Sequence, residues 1–218
     1  MRNKISLSAV ISCFIVVFML AGQSYGAAGK EFYGEMKDGT YTNKILGAEI
    51  YFSDNWKVLS SDAQEDIKSK ASSMSQTYKE ITENNDQSQA ILHVEAKDGS
   101  ANVVIALMNM GVFGIAFSRT SGNELKELLD PVLDLTANTV SKAYKEMGFN
   151  DCVTDKQTVN FLGTEYPCLH IIVKMNGIDI LHQKQVICLR GEYGYMVTVT
   201  SVLYDITDDL LSMFRAIR

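Results

Sequence analysis

VNFLGTEYPCLHIIVKMNGIDILHQKQVICLRGEYGYMVTVTSV, residues 159–202, is the stretch on which the fold turns. Two apolar runs meet at Asn176-Gly177, the dipeptide that best tolerates the paired positive φ angles of a type I′ turn, and a third run follows Gly191. The reading is a three-stranded antiparallel meander. If Met175 opposes Ile178 and pairing runs on uninterrupted, Cys168 faces Gln185, Cys188 faces Glu165 and His182 faces Ile171. Opposed residues share a face, so this register puts Cys168 with His170 on one side of the sheet and Cys188 with His182 on the other. A Cys168–Cys188 disulfide then needs a bulge, buried free thiols are the favoured state, and the two histidines cannot share a metal.

The chain of 218 residues opens with Arg2 and Lys4, an uncharged apolar run over 5–21 and small residues at Ser24 and Gly26-Ala27, the pattern of a secretion signal. Residues 1–26 are expected to be removed, leaving a secreted or extracytoplasmic chain. An uncleaved N-terminal anchor is the alternative and the only expected route to a membrane. No cysteine follows the run for acylation. Loss of Arg2 and Lys4, with no acid lost, takes the net charge from −6 to −8, and so acidic a chain is a poor partner for nucleic acid. Residues 27–38 read as a tether and 39–218 as a single α+β domain, since no Gly/Ser-rich linker and only 2 prolines interrupt the chain.

Short strands at 41–45 and 48–52 turn at Gly47, and the sole tryptophan, Trp56, follows as a core anchor or, alternatively, a binding platform. Asp62 and Glu65 form a capping box, and Ile67, Ala71, Met74, Tyr78 and Ile81 recur at helical spacing, predicting one amphipathic helix. Strands at 90–96 and 101–109 flank Asp98-Gly99, and the second, apolar on both faces, is expected at the centre of the sheet. Val112, Phe113, Ile115 and Phe117 lie in an apolar run with two glycines, read as a buried strand, with an exposed apolar loop as the alternative. Asn123 is expected to cap a short helix over 124–129. Asp130-Pro131 then starts a longer one over 131–147, with Leu128, Val132, Leu135, Thr139, Ala143 and Met147 inward and Gly148 as its stop. Residues 152–160 form a polar edge strand, and Thr207 caps a last helix carrying Leu210, Leu211, Met213, Phe214 and Ile217.

Several short motifs resemble the Mog1/PsbP-like superfamily, in particular its small secreted bacterial members. Tyr41-Thr42-Asn43, Gly47 and Trp56 look like that group's opening pattern. Phe161-Leu162-Gly163 with Tyr166, the Asn176-Gly177 turn and residues 191–195 look like its closing meander, and Phe214 like its final phenylalanine. Asp54-Asn55 stand where members usually carry Pro and Gly, so the likeness is at superfamily level. It implies an antiparallel β-sheet with helices packed on its faces, an α/β/α sandwich, in a family of accessory and binding proteins. Members dock on a photosystem, a small GTPase or protein cargo, and share no catalytic residues.

No H-x-x-x-H, H-E-x-x-H or C-x-x-C spacing occurs, so no metal and no cofactor is expected. The one catalytic pairing in view is Cys168 with His170, two apart on one strand face, their Cβ atoms roughly 7 Å apart and without an evident orienting acid. The favoured function is a non-enzymatic binding or accessory protein that holds a protein or small apolar ligand. Trp56, the run bearing Val112, Phe113, Ile115 and Phe117, and the loop tyrosines Tyr193 and Tyr195 are its candidate contacts. A Cys168/His170 enzyme and a structural envelope protein are the alternatives. If Trp56 is a core residue, Trp56→Ala lowers the melting temperature by several degrees in a thermal scan, whereas a surface Trp56 leaves it unchanged.

Overall fold

The computed structural model describes residues 30–84, 88–120 and 122–217. At its centre the hairpin forms as Asn176-Gly177 dictates. Both residues have positive φ (52° and 79°), Met175 opposes Ile178 and Lys174 opposes Asp179, joining β8 (Thr164–Met175) to β9 (Ile178–Arg190). One step further the register slips, so that Val173 pairs with Leu181 and Ile180 is the extra residue of a bulge. Beyond it Ile172 faces His182, His170 faces Lys184 and Cys168 faces Val186, which corrects the uninterrupted register expected from the sequence. Cys168, His170, His182 and Cys188 therefore share one face. The reason is chemical. Without the slip Lys184 would oppose Leu169 on the face that packs under helices; with it, Lys184 Nζ meets Asp208 Oδ1 at 2.6 Å on the other face.

The meander continues into β10 (Tyr193–Val202), and β7 (Asp151–Phe161) forms the polar edge beyond β8. A second hairpin, β5 (Ser88–Ala96) and β6 (Ala101–Asn109), joins through pairing of β6 with β10. With β4 (Trp56–Val58) at the far edge, the sheet order is β4-β5-β6-β10-β9-β8-β7. As its two apolar faces demand, β6 is internal and buried along almost its whole length.

Four helices cover one face: α1 (Ser61–Met74), α2 (Gln76–Asn84), α3 (Gly111–Ser118) and α4 (Gly122–Glu146). Leu129, Val140, Ala143 and Tyr144 of α4 pack there with Leu169, Ile171, Val173 and Ile187 of the sheet. The other face carries a smaller antiparallel sheet, ordered β1 (Glu35–Lys37), β2 (Thr40–Asn43), β3 (Ala48–Tyr51), β11 (Phe214–Ala216), beside the short helix α5 (Thr207–Ser212). Tyr41, Ile50, Phe161, Cys168, Val186, Cys188 and Phe214 form this second core. The architecture is the expected α+β fold on an antiparallel sheet.

Several local expectations give way to tertiary contacts. The single helix expected from Asp62 is two. Ser60 supplies the N-cap, accepting from the Ala63 amide, and Ser75 is extended (φ −139°, ψ 119°) between α1 and α2. Ser75 Oγ accepts from the Tyr78 amide at 3.0 Å and donates to Glu146 Oε2 at 2.7 Å. The same carboxylate takes the Thr77 amide at 2.8 Å and hydroxyl at 2.7 Å, so the end of α4 caps the start of α2. Residues 111–118 are a helix rather than a strand. Gly114 lets α3 approach the turn after β9, where a Cβ would lie 2.7 Å from the Gly191 carbonyl oxygen. Pro131, expected to open a new helix, sits inside α4 on its exposed side, where the Glu127 carbonyl that it leaves without a helical partner belongs to a solvent-exposed residue. Leu128 and Leu135, placed inward by the sequence, are 39% and 43% exposed, and Leu125, Leu129 and Leu133 face the core instead.

Phe214 belongs to β11 and not to the last helix, and Thr207 makes no cap because Ile206 holds that position. Residues 30–37, read as part of a tether, form a single 3-10 turn (Lys30–Phe32) and then β1, paired with β2. The Tyr195 hydroxyl and the Asn43 side-chain amide both donate to the Phe32 carbonyl, at 3.2 and 2.9 Å. The leader over 1–26 and the proposed cap Asn123 lie outside the described residues and side chains.

Glu146→Ala should lower stability by about 1 kcal/mol, a modest figure because the side chain is partly in water. The Thr77 amide and the Ser75 hydroxyl hold the Glu146 carboxyl below its ordinary value of 4.5. Its contribution is therefore complete above that value and is lost as pH falls through the depressed folded value. Urea melts of the wild type and the variant should differ at neutral pH and converge in acid.

Candidate functional site

Extended Ser75 lets α2 fold back beside α1, with Ser72 Oγ 3.5 Å from Thr82 Oγ1, and the pair roofs a cleft of about 380 Å³ over β5 and β6. Its floor comes from Ala90 and His93 of β5 with Val104 and Ala106 of β6, residues that alternation points toward the helices. Ile67, Tyr78 and Ile81 add apolar surface, and Gln64, Lys68 and Gln89 add polar groups. Burial pushes the His93 imidazole down to about 4, so it is neutral at physiological pH. Ser61, Glu65, Thr82 and Ser88 also line the cleft, with Glu65 Oε1 3.9 Å from Lys68 Nζ, so polar groups outnumber apolar ones, and its volume lies near the lower end of that of small-molecule pockets.

On the opposite face of the sheet, the bulge at Ile180 brings His170 and His182 side by side, ring centroids 6.5 Å apart. Asp205, in the bend between β10 and α5, joins them. Its Oδ2 lies 3.4 Å from His170 Nε2 and 3.8 Å from His182 Nδ1. Its Oδ1 accepts from the Thr207 hydroxyl at 2.6 Å and the Thr207 amide at 3.0 Å. Burial alone would raise the Asp205 carboxyl, but the two Thr207 bonds, then His182 and His170, bring it below the ordinary carboxylate range. Burial also lowers the His170 imidazole, with Asp205 pulling the other way. The expectation that the histidines lie on opposite faces is thus overturned.

The residues singled out in the sequence do not converge. Trp56 is half-buried on β4, its ring 5.5 Å from Phe52. Ile115 and Phe117 are half-buried on α3, where Phe117 packs on the helix-side core; the side chains of Val112 and Phe113 lie outside the described set. Tyr193 sits 4.1 Å from the Phe32 ring, and Tyr195 is buried beneath it. Among those with described side chains, none lines the cleft or joins His170. His170 does gain the orienting acid it lacked in the sequence, but Cys168 is 0% exposed and burial pushes its thiol up to about 12. A thiol so protonated is no nucleophile at neutral pH.

The uninterrupted register put His182 on the wrong face, and Asp205 was not singled out, because both meet His170 only through the bulge. The available signal was the adjacent pair Ile180-Leu181, where apolar alternation changes phase. The cleft residues follow no motif and become neighbours only through packing.

No protein-family model and no curated protein matches the chain. Among solved structures it is similar to a cyanobacterial PsbP from Synechocystis, at 10% identity and TM-score 0.49, over 88% of this chain and 98% of that one. It is also similar to a Bacteroides thetaiotaomicron protein, at 10% identity and TM-score 0.37, over 83% and 49%. A third is LpqN, involved in cell envelope biogenesis of Mycobacterium tuberculosis, at 10% identity and TM-score 0.33, over 76% and 75%. No residue role passes from these likenesses.

Cys152, Cys168 and Cys188 are free and buried. In the folded protein at neutral pH, iodoacetamide should leave Cys168 unmodified on a timescale at which denatured chain is fully alkylated, as read by peptide mass spectrometry. Rapid selective labelling of Cys168 would instead revive the nucleophile.

Proposed function

We propose that the chain is an extracytoplasmic, non-enzymatic binding protein, and that the cleft roofed by α1 and α2 takes a small amphipathic molecule. The observation that carries this reading is the cleft's mixed lining above a buried sheet floor. Ile67, Ile81, Val104 and Ala106 offer an apolar bed, while Lys68, Gln64 and Gln89 offer donors to an anionic or carbonyl-bearing head. The extracytoplasmic setting rests on the leader pattern of the first 26 residues. Protonation of the deeply buried Cys168 thiol weighs against the rival Cys168/His170 enzyme.

The amphipathic anion anilinonaphthalene sulfonate tests the site. Its fluorescence should rise saturably with one molecule bound per folded chain. Ala90 is exposed in the cleft, so Ala90→Trp fills the space against Tyr78 and Ile81 without replacing a core residue. That variant should keep the wild-type melting temperature and lose dye binding. Undiminished binding by the variant would place the ligand elsewhere.

A further inference from the structure

The geometry points to a second site, independent of the cleft: we infer that His170, His182 and Asp205 bind one divalent transition-metal ion of the zinc class. Three ligand atoms, His170 Nε2, His182 Nδ1 and an Asp205 carboxylate oxygen, lie within 4.8 Å of one another. Around a tetrahedral zinc ion, ligand atoms at about 2.0–2.1 Å from the metal stand roughly 3.3 Å apart. The two carboxylate-to-imidazole distances, 3.4 and 3.8 Å, need only a slight closing to meet that geometry.

Two further features point to a ligand. His170 Nε2 and His182 Nδ1 are shielded from solvent and make no hydrogen bond, although both face the same oxygen. A buried ring nitrogen without a partner is uncommon in a folded protein. Asp205, for its part, is held by one oxygen only. Thr207 ties down Oδ1, which leaves Oδ2 turned to the imidazoles, the outer support by which proteins aim a ligating carboxylate. His170 Nδ1 lies 3.4 Å from Gln157 Nε2, a donor already given to Asp155 Oδ2 at 2.9 Å, so a metal at Nε2, which puts the ring proton on Nδ1, requires the Gln157 amide to turn aside from the ring.

The surrounding charge also suits a cation. Asp155 lies across from His170 on β7, and Lys184, across from it on β9, is neutralised by Asp208. The Asp205 side chain is 37% exposed, so ion and water can reach the site from solution. Two imidazoles and one carboxylate favour zinc, copper, nickel or cobalt over magnesium and calcium.

The test uses tag-free protein stripped with a chelator and titrated with zinc against a chromogenic competitor. One zinc ion per chain is expected, undisturbed by excess magnesium or calcium, and cobalt should give the intense visible bands of a tetrahedral site. Asp205→Asn retains an acceptor for Thr207, so the start of α5 stays formed; it and His182→Gln should each weaken zinc binding by more than about tenfold. Ala90→Trp should bind zinc as the wild type does, which separates this site from the cleft. Failure of the wild type to take up one zinc, or unchanged affinity in both ligand variants, would overturn the inference and leave a histidine–aspartate cluster without a metal.

Discussion

Lys184 is a charge set into a sheet, its side chain only 6% exposed, and an ammonium there persists only with a carboxylate beside it. Asp208 supplies that carboxylate from the first turn of α5. Meeting this one requirement shapes the surroundings. The β8–β9 register slips at Ile180 so that Lys184 points away from the helices. The chain leaving β10 bends through Asp205 so that α5 lies over the same face, and the residues after α5 then reach β3 as β11 and complete the small sheet. The pairing of His170 with His182 follows from the same slip.

The helix-side face of the sheet is divided in a way that bears on the cleft. Its β8–β9 side is apolar, with Leu169, Ile171, Val173 and Ile187 under α4. Across the middle strands, Gln185, Thr198, Val104 and His93 form one cross-strand row, and Gln183, Thr200, Asn102 and Glu95 form the next. Gln183 donates to Thr200 at 3.1 Å and Gln185 to Gln183 at 3.0 Å, so the rows are knit by side-chain hydrogen bonds. The first row ends at Val104 and His93, the floor of the cleft. The band is only partly paired, since both side-chain polar atoms of Asn102 and the Thr198 hydroxyl are buried without a hydrogen-bond partner.

Much of the framework was legible from local chemistry. Asn176-Gly177 and Asp98-Gly99 placed both hairpins, the doubly apolar run 103–107 identified an internal strand, and the polar run 152–160 an edge. What escaped was decided at long range. Ser75 breaks a good helical pattern because Glu146, from another helix, rewards the break with three hydrogen bonds. The run 111–118 has no helical stripe because it is apolar nearly throughout, and only Gly114 hints at the close contact. Pro131 suggested two helices, yet it sits on the exposed side of one, where losing a hydrogen bond costs less than it would in the core. The candidate metal cluster was hidden for the same kind of reason, since one residue of slip reverses which side chains are neighbours.

The contact between the Tyr195 hydroxyl and the Phe32 carbonyl spans 163 positions in the chain, and β3 finds its last neighbour only in β11. Strand β6 likewise waits for β10. Each layer is therefore completed by a strand that comes late in the sequence. A chain emerging amino end first cannot finish either sheet until β10 and β11 have been made, so β3 and β6 each present an open edge throughout that interval. Folding has the slow, all-at-the-end character of high contact order, and the exposed edges make that interval the time when the chain most needs to be kept from pairing with its neighbours.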